Sequence, residues 1–115
     1  MNYYLAGAGL LVALVGAIHS ILGQRMIFRE PRGRYTGILW ATWHLATVLS
    51  WGVAAILFWL ARQNEATIRS LAPIACAIAV SMAASAALVC IGTHGRHPGW
   101  AALLGVAILS YLALT

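Results

Sequence analysis

The chain has 115 residues, of which 63% are hydrophobic and only 8% are charged. A soluble domain usually carries about 25% charged residues and about 45–50% apolar ones. These values exclude a disordered tail, a coiled coil and a soluble enzyme, because so few charges cannot hydrate the surface of a globule. The net charge of +5 arises from arginines in short gaps between apolar runs, so nucleic acid is not an expected partner.

Four long apolar runs predict an all-α fold, an integral membrane bundle of four transmembrane helices. Backbone groups in lipid must be satisfied within the segment, and a continuous apolar run does this as a helix. We expect one domain over residues 1–115, with helices at about 3–28, 35–61, 71–93 and 98–115. The last run has the fewest residues and reaches just far enough to cross a core of about 30 Å.

The distribution of arginines predicts the orientation of these helices. The breaks 29–34 and 94–99, together with Arg25, hold five arginines, whereas the middle break holds only Arg62 and Arg69. Positively charged residues are retained in the cytoplasm. We therefore expect breaks 29–34 and 94–99 in the cytoplasm, both termini on the opposite side, and the lipid bilayer of a bacterial inner membrane as surroundings.

The first predicted helix carries a seam of small residues. Its members recur every three to four positions: Gly9, Ala13, Gly16, Ser20 and Gly23. Small side chains let a neighbouring helix approach closely, so the seam is a predicted docking face.

Two histidines lie inside the apolar runs at matching positions. His19 is nine residues before Phe28, and His44 is nine residues after Tyr35, so both lie about 13 Å inside their helices. Adjacent antiparallel helices would bring them to nearly equal depth. An ionisable residue inside a bilayer is costly and usually has a function.

The leading hypothesis is a small membrane subunit that binds b-type haem for electron transfer to quinone or a partner protein. Imidazoles on facing helices can ligate haem iron from both sides, and glycines near His19 would leave room for a large group. His19 and His44 would be the axial ligands of the iron. Trp40 and Trp51 would line the pocket, and Arg25 and Arg34 would pair with the haem propionates.

Two alternatives remain open. The chain could be a non-catalytic structural or assembly subunit without a cofactor, bound to other membrane subunits or to a second copy of itself. His19 and His44 would then form hydrogen bonds with groups such as Ser20 and Thr47 across the helices. It could instead be a copper, zinc or small-ion carrier whose ligands are drawn from His19, His44, His94, His97 and Cys90.

Enzymatic activity of the chain alone is not expected, because no phosphate loop, nucleophile elbow or zinc-protease motif occurs.

Three short motifs carry a resemblance. They are His19-Ser20-Ile21-Leu22-Gly23-Gln24, Trp43-His44 and Gly95-Arg96-His97-Pro98-Gly99-Trp100. The chain resembles small bacterial membrane proteins with four helices that read His-Ser-x-x-Gly-Glu and then Trp-His. The resemblance implies the four-helix fold and carries no activity, and Gln24 stands where those proteins have Glu.

A second likeness involves the segment Arg34-Tyr35-Thr36-Gly37. It is similar to the Arg-x-Thr-Gly segment that precedes a helix in the haem-bearing, quinone-reducing membrane anchors of succinate dehydrogenase. This likeness implies haem and quinone as ligands.

Overall fold

A computed structural model describes residues 1–29 and 33–115 of the chain. Within these residues the fold is all-helical, which confirms the predicted class, and no strand is present. The helices are α1 (Tyr3–Leu22), α2 (Thr36–Ala61), α3 (Glu65–Ser70), α4 (Ala72–Gly92) and α5 (Gly99–Leu112), and α1 continues into a π-helical turn, Gly23–Ile27. The predicted break at 29–34 includes Glu30, Pro31 and Arg32, which lie outside the described residues.

Three helical segments are long and apolar enough to cross a membrane. They are Tyr3–Ile27, Thr36–Ala61 and Ala72–Gly92. The fourth apolar helix, α5, has 14 residues, so its helical part extends about 21 Å.

When the π-helical turn is counted with α1, the four long helices begin and end within three residues of the predicted bounds. Two features were not predicted: the π-helical turn and the short helix α3. Asn64 precedes α3, and its side chain accepts a hydrogen bond from the backbone N–H of Thr67 at 2.9 Å. This is the usual N-terminal cap of a helix. The segment after Arg62 therefore forms one helical turn and a half before α4, instead of an irregular break.

One asparagine joins three elements near the ends of the chain. The side-chain oxygen of Asn2 caps α1 by accepting from the N–H of Leu5 at 3.1 Å. Its backbone N–H donates to the carbonyl of Ala61 at 2.7 Å, and its side-chain amide donates to the carbonyl of Ala113 at 3.4 Å. The start of α1, the end of α2 and the residues after α5 thus meet at one point.

The helices α1 and α5 occupy the middle of the structure. α1 packs against α2 and α5, and α5 packs against α1 and α4. The hydrophobic core lies towards the Asn2 end, where its largest completely buried apolar side chains are Leu5, Val12, Leu57, Leu60 and Val106.

The small-residue seam faces α2, within the chain. A Cβ atom placed on Gly9 would lie 3.3 Å from the carbonyl oxygen of Ala54, and one on Gly16 would lie 3.1 Å from the Cβ of Ser50. Only glycine lets the two backbones approach this closely without a shift. The expected docking of a separate subunit on this seam is therefore wrong, because α2 already covers it.

The two ends of the α1–α2 pair are packed differently. Gly7 of α1 lies beside Leu109, and Leu11 lies beside Gly105, so in this antiparallel arrangement α5 begins opposite Ala17. The rest of the pair, residues 18–28 and 36–48, extends beyond α5. We call this part the distal hairpin. Among its described residues only Gly23 and Thr47 are buried.

Replacing Gly16 by leucine is expected to separate α1 from α2. The larger side chain would press against Ser50 and Trp51, and overpacking of this kind typically costs about 1–3 kcal/mol. We expect a lower thermal unfolding midpoint in detergent, measured by circular dichroism. Gly52→Leu is the matched control, because a Cβ atom added at Gly52 would have no atom within 4 Å. An equal effect of both substitutions would contradict the contact.

Candidate functional site

His19 lies on α1 in the distal hairpin and stacks on a tryptophan of α2. The ring centroids of His19 and Trp43 are 4.1 Å apart, and the planes differ by 6°. The indole N–H of Trp43 also donates to the backbone carbonyl of His19 at 2.9 Å. One tryptophan therefore binds both the side chain and the backbone of His19.

The space beside Gly23 is filled by the same tryptophan. A Cβ atom at Gly23 would collide with three atoms of the Trp43 indole, including Nε1. Phe28 packs edge-on against Trp43, with centroids 5.9 Å apart and planes at 77°. The room that the glycines were expected to leave for a cofactor is thus occupied by a side chain of the protein itself.

Trp51 packs on Gly16 of α1 as Trp43 packs on Gly23. Its indole Nε1 lies 3.2 Å from the Cβ position of Gly16 and donates to the carbonyl of Ala13 at 3.3 Å. Half of Trp51 remains exposed. Trp51 therefore anchors α2 on α1, and its role as a wall of a haem pocket stays a prediction.

His44 uses both of its ring nitrogens within the chain. Nδ1 lies 2.9 Å from the hydroxyl of Ser20, and Nε2 lies 3.3 Å from Oε1 of Gln24. The indole N–H of Trp40 donates to the same Gln24 oxygen at 2.9 Å, and its ring meets that of His44 at 4.6 Å and 61°. We call Ser20, Gln24, Trp40 and His44 the His44 cluster.

The donors and acceptors of the His44 cluster follow from the indole. An indole N–H can only donate, so the Gln24 atom that it contacts is the oxygen. Nε2 of His44 must then donate to that oxygen. In the neutral imidazole Nδ1 accepts, and the hydroxyl of Ser20 is its donor. The amide nitrogen of Gln24 remains free of hydrogen bonds to the described residues.

The two predicted axial ligands lie close together, and each contacts different side chains. Ser20, the neighbour of His19, bonds directly to His44. His19 itself faces Trp43. Haem would need one free nitrogen on each ring, so His44 would have to release Ser20 or Gln24 first.

The two arginines expected at the haem propionates lie in different surroundings. Arg25 lines an open cavity at the end of the π-helical turn. The guanidinium of Arg34 lies 6.0 Å from the centre of the Tyr35 ring.

The remaining predicted metal ligands belong to the connection between α4 and α5. Nδ1 of His97 accepts from the N–H of Gly99 at 3.0 Å, and the backbone carbonyl of Cys90 accepts from the N–H of Gly95 at 2.7 Å. His94 has a φ of 50°. Within residues 1–29 and 33–115, no group of three or more histidine, cysteine, aspartate or glutamate side chains could hold a metal ion.

Sequence reasoning did not assign Trp43, Phe28 or Gln24 to the site. The spacing of Gly9, Gly16 and Gly23 by seven residues could have indicated which large side chains of α2 pack on α1. Gln24 is the one amide in the apolar run Tyr3–Ile27, which is a signal for a polar contact between helices.

Comparison with protein families, curated proteins and solved structures gave no match.

Replacing Gly23 by alanine is expected to displace Trp43. The added methyl group would occupy the position of the indole, so the stack on His19 and the bond to its carbonyl should be lost. We expect a shifted Trp43 indole N–H resonance in the NMR spectrum and a lower unfolding midpoint. Gly37→Ala, with no atom within 4 Å of the added carbon, should leave both unchanged. An unaltered Trp43 resonance in the Gly23 variant would refute the packing.

Proposed function

We propose that the chain crosses the inner membrane four times, with α5 as the fourth span. The helical part of α5 extends about 21 Å, and Pro98 together with residues 113–115 lengthens this apolar segment towards the roughly 30 Å thickness of the hydrocarbon core. Breaks 29–34 and 94–99 then face the cytoplasm, because five of the seven arginines lie on that side. Both termini lie on the other side.

We infer that the protein is a non-catalytic structural or assembly subunit of a larger membrane complex. The observation that carries this proposal is the outer face of α4. α4 packs mainly against α5, and its exposed positions include many small side chains: Cys76, Ala77, Ser81, Ala83, Ala84 and Ala87.

Helix association in lipid depends on close packing, because lipid tails are as apolar as the side chains. A lipid-facing helix surface has no need of small residues, whereas a helix–helix interface is enriched in them. The expected occupant of this face is therefore a further transmembrane helix, from another subunit or from a second copy of the chain. The closed His44 cluster agrees with this function, because its histidine serves to join α1 to α2.

Replacing Ala84 by leucine is expected to break the association. A leucine in a close helix contact costs about 1–3 kcal/mol, which lowers the association constant by about fivefold or more. The size of the complex extracted in mild detergent, measured on native gels, reports the loss. Co-purification of two differently tagged copies separates a second copy from another subunit.

The matched control for this experiment is Ala101→Leu. Ala101 is also exposed but lies on α5. We expect the control to leave the complex intact. A wild-type chain that is extracted alone, or a complex that withstands Ala84→Leu, would overturn the proposal.

A b-type haem subunit is the second candidate. The observation in its favour is the hydrogen bond between Ser20 and His44. Because Ser20 follows His19 directly, this hydrogen bond brings the helical turn that carries His19 close to His44, and both lie within the apolar spans. Binding would require His44 to exchange a hydrogen bond for iron and Trp43 to leave Gly23. The role of such a group would be electron transfer, since a bis-histidine iron has no open position.

For the haem candidate we expect haem bands in the reduced-minus-oxidised spectrum of protein purified from haem-supplied cells. The variants His19→Ala and His44→Ala should each lose these bands, and the control His94→Ala should keep them. Elemental analysis of the same preparation tests copper and zinc. A wild-type spectrum without haem bands excludes the haem candidate and leaves the assembly role untouched.

A further inference from the structure

An open cavity of about 500 Å³ lies at the end of the π-helical turn. It is lined by Gln24, Arg25, Phe28 and Arg29. We propose that this cavity binds the phosphate of an anionic phospholipid headgroup. The proposal rests on the membrane placement of α1 and does not depend on the assembly role of α4.

The π-helical turn brings these four side chains to one side. The N–H of Phe28 donates to the carbonyl of Gly23 at 3.0 Å, five residues back instead of four. Such a turn holds one more residue than an α-helical turn, and it often occurs at functional sites. Here it places Gln24 against α2 while Arg25 and Arg29, four residues apart, lie along the cavity.

The cavity offers an excess of hydrogen-bond donors. Oε1 of Gln24 is held by Trp40 and His44, which leaves the amide nitrogen as a positioned donor. Two guanidinium groups add further donors, and guanidinium binds phosphate oxygens in pairs. A phosphate diester has the complementary acceptors.

Arg25 and Arg29 have no negatively charged partner among the residues that the structure describes. Over residues 1–29 and 33–115 neither Arg25 nor Arg29 forms an ion pair, whereas Arg69 pairs with Glu65 at 3.6 Å beyond the other end of the spans. Two like charges that line the same cavity repel each other. A bound anion would remove this repulsion.

The position of the cavity along the apolar span favours a lipid over a soluble anion as its ligand. The apolar span ends at Ile27, between the two arginines, so the cavity opens where lipid headgroups lie. Next to it the side chain of Met26 is 73% exposed, and Phe28 supplies an apolar wall. A phospholipid can satisfy the arginines with its phosphate and the apolar surface with its acyl chains.

The test measures bound lipid by native mass spectrometry of the full chain in neutral detergent, titrated with phosphatidylglycerol or with phosphatidylcholine. We expect one phosphatidylglycerol to bind preferentially. The double variant R25Q/R29Q should weaken this binding about tenfold or more, since each arginine near an anionic lipid contributes about 1 kcal/mol.

The matched control is R62Q/R69Q, which removes the same charge from the other end of the spans. Its arginines lie well beyond a Debye length of about 8 Å from the cavity, so binding should change less than about twofold. A second variant, Gln24→Glu, keeps the acceptor for Trp40 and His44 but brings a negative charge to the lipid. It should also weaken phosphatidylglycerol binding.

Three results would overturn the proposal. The first is an equal loss of binding in R25Q/R29Q and R62Q/R69Q, which would indicate attraction by net charge alone. The second is equal binding of phosphatidylcholine and phosphatidylglycerol. The third is displacement of the lipid by millimolar inorganic phosphate, which would assign the cavity to a soluble anion.

Discussion

The close approach of α1 and α2 along three glycines is the constraint on which the rest of the structure depends. Gly9, Gly16 and Gly23 each meet a larger group of α2: a backbone carbonyl, the Ser50 side chain and the Trp43 indole. In lipid no hydrophobic force draws two helices together, so van der Waals contact and hydrogen bonds must do so. The glycines allow the contact, and the indoles that pack on them form bonds to the α1 backbone.

This arrangement explains why histidines can reside in an apolar span. His44 completes hydrogen bonds to Ser20 and Gln24, so its polar atoms are not left facing lipid. Histidine there acts as a bridge between two helices. A cofactor would compete with these bonds, whereas a structural role needs no change in them. The same hydrogen bonds fix the side chain of Gln24, which lines the cavity beside Arg25 and Arg29.

Hydropathy alone was enough to predict the four long helices, because long apolar runs have few structural options in lipid. The bounds of the long helices follow from charged breaks and prolines. The π-helical turn could not be predicted, since one shifted hydrogen bond from Phe28 to Gly23 leaves no periodic pattern. Likewise, the spacing of His19 and His44 indicated their proximity, but the contents of the space between the helices depended on the side-chain conformation of Trp43. The sequence therefore predicted the small-residue seam of α1, but it did not predict that α2 packs on this seam.

The three bonds of Asn2 have a consequence for the order of assembly. The partners of Asn2 are Leu5, Ala61 and Ala113, so its hydrogen bonds join residues that are far apart in the sequence. During synthesis the contact with Leu5 can form early, the one with Ala61 only after α2 has been made, and the one with Ala113 only after α5 has been made. The amino end of α1 therefore forms its last hydrogen bond only after α5 has been synthesised and has packed against α1.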